Sequence, residues 1–142
     1  MALTADIEIS TDPGRLDIAV VHGFLSESYW AKGRPIEVVE KSVRHSLCFG
    51  AYTGRRQIGF ARLITDRAVF AYLADVFVVP EYRGLGVARK LLETILEHPE
   101  LRDVRFFRLA TKDAHGLYEK YGFRRMVDPE KSMELFVDAV ES

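Results

Sequence analysis

The chain has one cysteine, Cys48, among 142 residues. One thiol excludes an internal disulfide framework and any zinc site built on several cysteines. Charge of a single sign is also lacking, because 20 lysines and arginines meet 21 aspartates and glutamates for a net charge of −1. Such a balance supplies no broad field to draw nucleic acid or an anionic membrane, so a basic function would need a local patch. No uncharged apolar run approaches the roughly 20 residues that cross a bilayer, and the opening letters MALTADIEIS lack a basic start followed by an apolar stretch. The four histidines, His22, His45, His98 and His115, show no metal-ligand spacing. The setting expected from these absences is cytoplasmic and reduced, without nucleic acid, membrane or metal.

What is present suits one domain over residues 1–142, since the length permits one sizeable core and not two. A strand is expected near Ile7–Ser10. In TDPGRLDIAVVHGFLSES, Leu16, Ala19, Val20, Phe24 and Leu25 recur at helical spacing, with Asp12 as N-cap and Pro13 in the first turn. YWAKGRP breaks that pattern, and a second helix follows from about Ile36 to His45. SLCFGAY, QIGFARLI and AVFAYLADVFVV are then separated by the turn-prone TGRR and TDRA, which predicts an antiparallel meander. The third of these strands is almost wholly apolar, as a strand covered on both faces would be.

After Pro80, Val87, Ala88, Leu91, Leu92, Ile95 and Leu96 form one stripe of a helix that stops at His98-Pro99. VRFFRLA is the next strand, so strand, helix and strand make a right-handed crossover with two parallel strands. A short helix from about Asp113 to Tyr121 closes on Gly122, and SMELFV is expected to be a last strand. The predicted class is α/β: a mixed, mostly antiparallel sheet with one parallel pair and helices on both faces.

The chemistry concentrates in PEYRGLGVARKLL, Pro80 to Leu92. A helix starting directly after a buried strand offers unpaired N–H groups and the positive end of its dipole to an anion. Gly84 and Gly86 let a bulky anion approach the backbone, Ala88 keeps the first helical turn slim, and Arg83 can fork onto phosphate oxygens. The lysine and hydroxyl of a P-loop are missing after the second glycine, and the third glycine of a dinucleotide fingerprint is missing too. Taken alone, the turn serves equally as a tight strand-to-helix connection.

Arg83-Gly84-Leu85-Gly86-Val87-Ala88 fits the Arg/Gln-x-x-Gly-x-Gly/Ala pattern of the GNAT superfamily of N-acetyltransferases, and AHGLYEKYGF (Ala114 to Phe123) resembles that family's A-x-x-L-Y-E-K-x-G-F segment. With the helix, helix and meander order before them, the resemblance spans nearly the whole chain. It implies acetyl-CoA as cosubstrate, with its pyrophosphate on the turn Arg83, Gly84, Leu85, Gly86, Val87, Ala88 and Arg89. It also implies that Val76, Phe77 and Val78 splay from their parallel neighbour and pair by backbone with the pantetheine arm. Tyr118 matches the family's general acid, and a phenol with its usual pKa near 10 can protonate the departing thiolate at neutral pH. Seven residues before it the family often has asparagine, where this chain has Thr111.

The acceptor implied is an amine, with a small molecule favoured over a protein or peptide; a non-catalytic acyl-CoA-binding domain is the rival. In this family the loop between the first two helices walls the acceptor pocket, which assigns Tyr29 and Trp30 to a cation-binding box or to a loop anchor. Tyr72 joins that wall, with Arg62 beside it. Strict alternation puts Tyr72 and Ala74 on one face and Leu73, Asp75 and Phe77 on the other; the resemblance implies that acceptor-facing groups take the Tyr72 and Ala74 face, so Asp75 is read as a structural hydrogen bond or ion pair rather than a base. Cys48 is read as a core residue. A homodimer through the last strand rests on the resemblance alone.

Overall fold

The computed structural model describes residues 6–138. One compact unit runs to Ala110 and a second begins at Thr111. The first contains β1 (Ile7–Ser10), α1 (Ile18–Glu27), α2 (Ile36–Arg44), β2 (Leu47–Thr53), β3 (Arg56–Thr65), β4 (Phe70–Val78), α3 (Val87–Leu96) and β5 (Phe106–Leu109). Its five strands form one sheet in the order β1-β2-β3-β4-β5. The first four are antiparallel and β5 lies parallel to β4, as the α/β reading expects. The second unit holds α4 (His115–Glu119), a 3-10 turn at Pro129–Lys131 and irregular chain to residue 138.

The sheet is covered on both faces. On one, Val21 and Leu25 of α1 and Val39 of α2 bury themselves against Cys48, Phe60 and Phe77, and the rings of Phe24 and Phe77 stack with centroids 4.2 Å apart. On the other, Val87 of α3 sits over Gly59, where an added Cβ would lie 3.1 Å from Val87 Cγ1 and 3.2 Å from the Phe77 carbonyl oxygen. Glycine at that position therefore lets α3 lie close on β3.

Two expectations are corrected. Asp12 caps only a 3-10 turn at Pro13–Arg15, and α1 begins later, capped by Asp17 through hydrogen bonds from Ala19 and Val20. The chain holds two aspartates at cap-like positions, and the first lies before a proline turn too short to continue as helix. SMELFV is not a strand: residues 132–138 carry no sheet pairing among the described residues, and Met133, Leu135, Phe136 and Val137 are exposed. An apolar pattern suits a strand only where a neighbouring edge supplies the ladder hydrogen bonds.

Register explains a third difference. Phe60 pairs with Phe77 and Arg62 with Ala74, so two steps along β3 face three steps along β4. The surplus residue makes a bulge, and Asp75 within it has φ 56°, the left-handed region that aspartate tolerates better than most side chains. Strict alternation fails here, and the Asp75 carboxylate reaches Arg62 on the α1–α2 face, the same face as Ala74 and Tyr72.

Candidate functional site

The glycine turn is formed as its letters suggest. Gly84 and Gly86 both adopt positive φ, 79° and 82°, and Gly86 is the N-cap of α3. Among the described residues, none of the N–H groups from Gly84 to Arg89 donates to another group; the first bond into the helix runs from Lys90 N–H to the Gly86 carbonyl. Successive free amides at the positive end of a ten-residue helix make a concave donor surface suited to an anion such as pyrophosphate. Arg83 lies beside it and donates through Nε to the Val78 carbonyl at 3.2 Å.

The strand that feeds this turn leaves its parallel neighbour early. Pairing of β4 with β5 ends at Leu73 and Leu109, whereas β4 continues to Val78. Val76, Phe77 and Val78 thus lie past the paired part, with Phe77 buried and Val76 and Val78 half-buried. Among the described residues, no ladder pairing reaches their backbone edge on the β5 side.

Beside the point of divergence lies a polar cluster in an otherwise apolar layer. The Asp75 side chain is 2% exposed and accepts from Arg62 Nε at 2.8 Å, Trp30 Nε1 at 2.9 Å and Arg34 NH1 at 3.1 Å. Arg62 also donates to Ser46 Oγ at 3.1 Å. Burial alone would push the Asp75 carboxyl upward; the hydrogen bond and charge of Arg62, the indole N–H and the Arg34 charge overcome it and hold the pKa below its ordinary value. Asp75 is consequently a charged anchor, as the ion-pair reading has it, and a weak proton acceptor.

That anchor fixes the loop between α1 and α2. Trp30 is pinned by its N–H, lies 6.3 Å from Phe24, and carries Tyr29 edge-on at 5.2 Å between centroids. His22 Nε2 donates to the Arg34 carbonyl at 3.1 Å, which ties the far end of the loop to α1. Yet Trp30 stays 40% and Tyr29 63% exposed, so the loop is held fast while presenting two flat rings. Trp30 thus anchors the loop through its N–H and still leaves a ring face exposed.

Tyr72 stands on the same face and is half-buried, with Ile64 opposite it on β3 and Arg108 opposite it on β5. Arg34 and Arg108 were not singled out from the sequence. A glycine-arginine pair in a loop and an arginine inside an aromatic strand were the only signals.

In the second unit, Tyr118 lies on α4, is 9% exposed and meets Phe123 edge-on at 5.7 Å. Burial raises its pKa above the usual phenol value, which keeps the hydroxyl protonated. Thr111 Oγ1 accepts from the Ala114 N–H at 3.0 Å, so it tethers the start of α4. Cys48 is buried and its thiol is pushed up to about 12 by desolvation, which makes it unreactive core. Among the described residues, no cluster of histidine, cysteine and carboxylates could hold a metal.

Comparison with known proteins adds three findings. The profile of the acetyltransferase (GNAT) domain matches residues 44–125. A Gibberella zeae protein carrying an acetyltransferase name is 32% identical over 139 residues, 81% of this chain and 77% of that one. A crystal structure from Xanthomonas campestris pv. campestris, described as belonging to the GNAT family, is 48% identical with TM-score 0.90, over 92% of this chain and 93% of that one. The fold is shared, at 16% identity and TM-score 0.67, with a Clostridium acetobutylicum structure described as containing acetyl-CoA, over 92% and 96% of the two chains.

Proposed function

Because the chain belongs to the GNAT acetyltransferases, we propose that it transfers an acetyl group from acetyl-CoA directly to a small amine within one ternary complex. The observation that carries the cosubstrate side is the run of unpaired N–H groups from Gly84 to Arg89, set at the end of a strand that has parted from its neighbour. Those amides take the pyrophosphate, and the freed backbone edge of Val76, Phe77 and Val78 pairs with the amides of the pantetheine arm.

The amine nitrogen attacks the thioester carbon, the carbon–sulfur bond breaks, and the sulfur leaves with the electron pair of that bond. Tyr118 supplies a proton to the sulfur, and a tyrosine whose pKa is raised by burial is fully protonated for that task. The amine's proton leaves to solvent, because Asp75 is held ionised by three donors and is weakly basic, and solvent returns a proton to the Tyr118 phenolate. Tyr29, Trp30 and Tyr72 form the acceptor wall, on the face where β4 and β5 diverge.

The test is thiol release from acetyl-CoA across a panel of amines, with calorimetric titration of acetyl-CoA in parallel. Acceptor-dependent release supports the reading. Acetyl-CoA binding without release for any amine would instead favour a non-catalytic acyl-CoA-binding domain.

A further inference from the structure

Resting on that transferase reading, we infer that the acceptor amine also carries a carboxylate, that Arg108 binds it, and that acetyl enters at the distal nitrogen of a diamino acid. Three observations converge. First, the cluster beside the divergence point is not neutral: two guanidiniums, Arg34 and Arg62, face the one carboxylate of Asp75, leaving one positive charge in excess. Second, Arg108 adds another on the same face. It pairs in register with Tyr72, its guanidinium lies 5.0 Å from the Phe106 ring centroid and 6.0 Å from that of Phe70, and no carboxylate bridges to it among the described residues. Third, Ile64 and Phe106 around it are exposed, at 44% and 50%, so the shelf carrying Arg108 is open to a ligand.

A guanidinium lying over two rings has its fork held in place, and a fork pre-set in this way suits the planar bidentate geometry of a carboxylate. The surrounding excess of positive charge repels a polyamine or a lysine-rich tail and favours an acceptor bearing an anion. Spacing then selects the nitrogen. Ala74, where β4 leaves β5, lies two residues beyond Tyr72, or about 7 Å along the strand, and Arg108 leans the other way, toward Phe106. A carboxylate on Arg108 and an amine at the divergence point are thus separated by more than the two bonds between an α-amine and its own carboxylate. The side chain of lysine or ornithine spans that gap.

The experiment compares L-lysine with cadaverine and L-ornithine with putrescine, pairs that differ only in the carboxylate, in wild type and in Arg108→Gln and Arg108→Lys. Wild type should prefer the amino acids and place acetyl on the side-chain nitrogen, as mass spectrometry of the product reads. Arg108→Gln should raise KM for L-lysine about tenfold or more, leave the KM for acetyl-CoA unchanged, leave cadaverine use no weaker because one repelling charge is gone, and recover in part in Arg108→Lys. Equal use of both members of each pair, an equal effect of Arg108→Gln on both, or acetyl on the α-nitrogen overturns the carboxylate site while the transferase reading stands. Absence of transfer to these four and to every other amine, with acetyl-CoA bound, overturns the transferase reading and the site with it.

Discussion

Trp30 Nε1 donates to Asp75 Oδ1 at 2.9 Å, joining residues 45 apart in sequence and fixing the α1–α2 loop to the bulge of β4. The same carboxylate takes both arginines of the cluster, so one side chain holds the sheet's irregular point and the loop beside it.

Asp75→Asn should therefore destabilise the fold. Asparagine tolerates the left-handed backbone at this position, so the change removes charge without adding backbone strain. Two guanidiniums lose their counter-ion, and a loss of about 3 kcal/mol is expected. The sign with pH follows from the depressed pKa: the stabilisation is present above the unfolded aspartate value near 4 and fades as pH falls through the lower folded value. Urea unfolding of wild type and variant from pH 7 to pH 2 should show a gap that closes below about pH 4. A gap that does not narrow as pH falls below 4 would contradict this account.

Tyr118→Phe should lower kcat about a hundredfold or more while leaving the acetyl-CoA dissociation constant unchanged. Raised by burial, the tyrosine stays protonated through the neutral range, so any alkaline fall in wild-type kcat due to this group lies above pH 10. A Tyr118-dependent limb below pH 9, or unchanged kcat in the variant, would remove it from the proton transfer.

Gly86→Val should weaken acetyl-CoA binding strongly. A branched side chain at φ 82° is strained, and the strain falls on the N-cap residue that shapes the run of free amides. Equal affinity by calorimetry would place the pyrophosphate elsewhere.

Gly59→Ala probes the seat of α3. Its new Cβ would meet Val87 Cγ1 at 3.1 Å, the Ala51 Cβ at 3.2 Å and the Phe77 carbonyl at 3.2 Å, none of which sits at the end of a long flexible chain. Thermal unfolding should show about 1–3 kcal/mol of destabilisation. Unchanged stability would mean that α3 has slack over β3.

Cys48 should resist a thiol reagent in the native protein at pH 8 and react once urea unfolds it. Its thiol, pushed up to about 12, is almost wholly protonated at that pH. Rapid native labelling would show that β2 opens.

The meander, the crossover helix and the glycine turn were legible because each rests on a local signal: period-two or period-3.6 patterning, or glycine where φ is positive. The bulge was not, since it depends on register between β3 and β4. Yet an aspartate inside AYLADVFVV was a hint, because aspartate is one of the few side chains at ease with φ near 56°. Counting by twos past it put Asp75 on the wrong face. Its partners Arg34 and Trp30 lie 41 and 45 residues away, beyond the reach of any window. The motif letters pointed to Tyr118 and the turn at once. Arg108 was hidden because an arginine in a strand is ordinary until its neighbours across the sheet are known.

The long separation of Asp75 from Trp30 also bears on the order of folding. During synthesis α1, α2 and the loop between them emerge well before β4, and at that stage the indole N–H and the Arg34 guanidinium have no carboxylate to meet. Closing so wide a loop is entropically costly and rewards the chain only after β3 and β4 have paired, since their register creates the bulge. Anchoring of the α1–α2 loop is accordingly a late event in folding, and the nascent N-terminal helices wait for the hairpin that completes them.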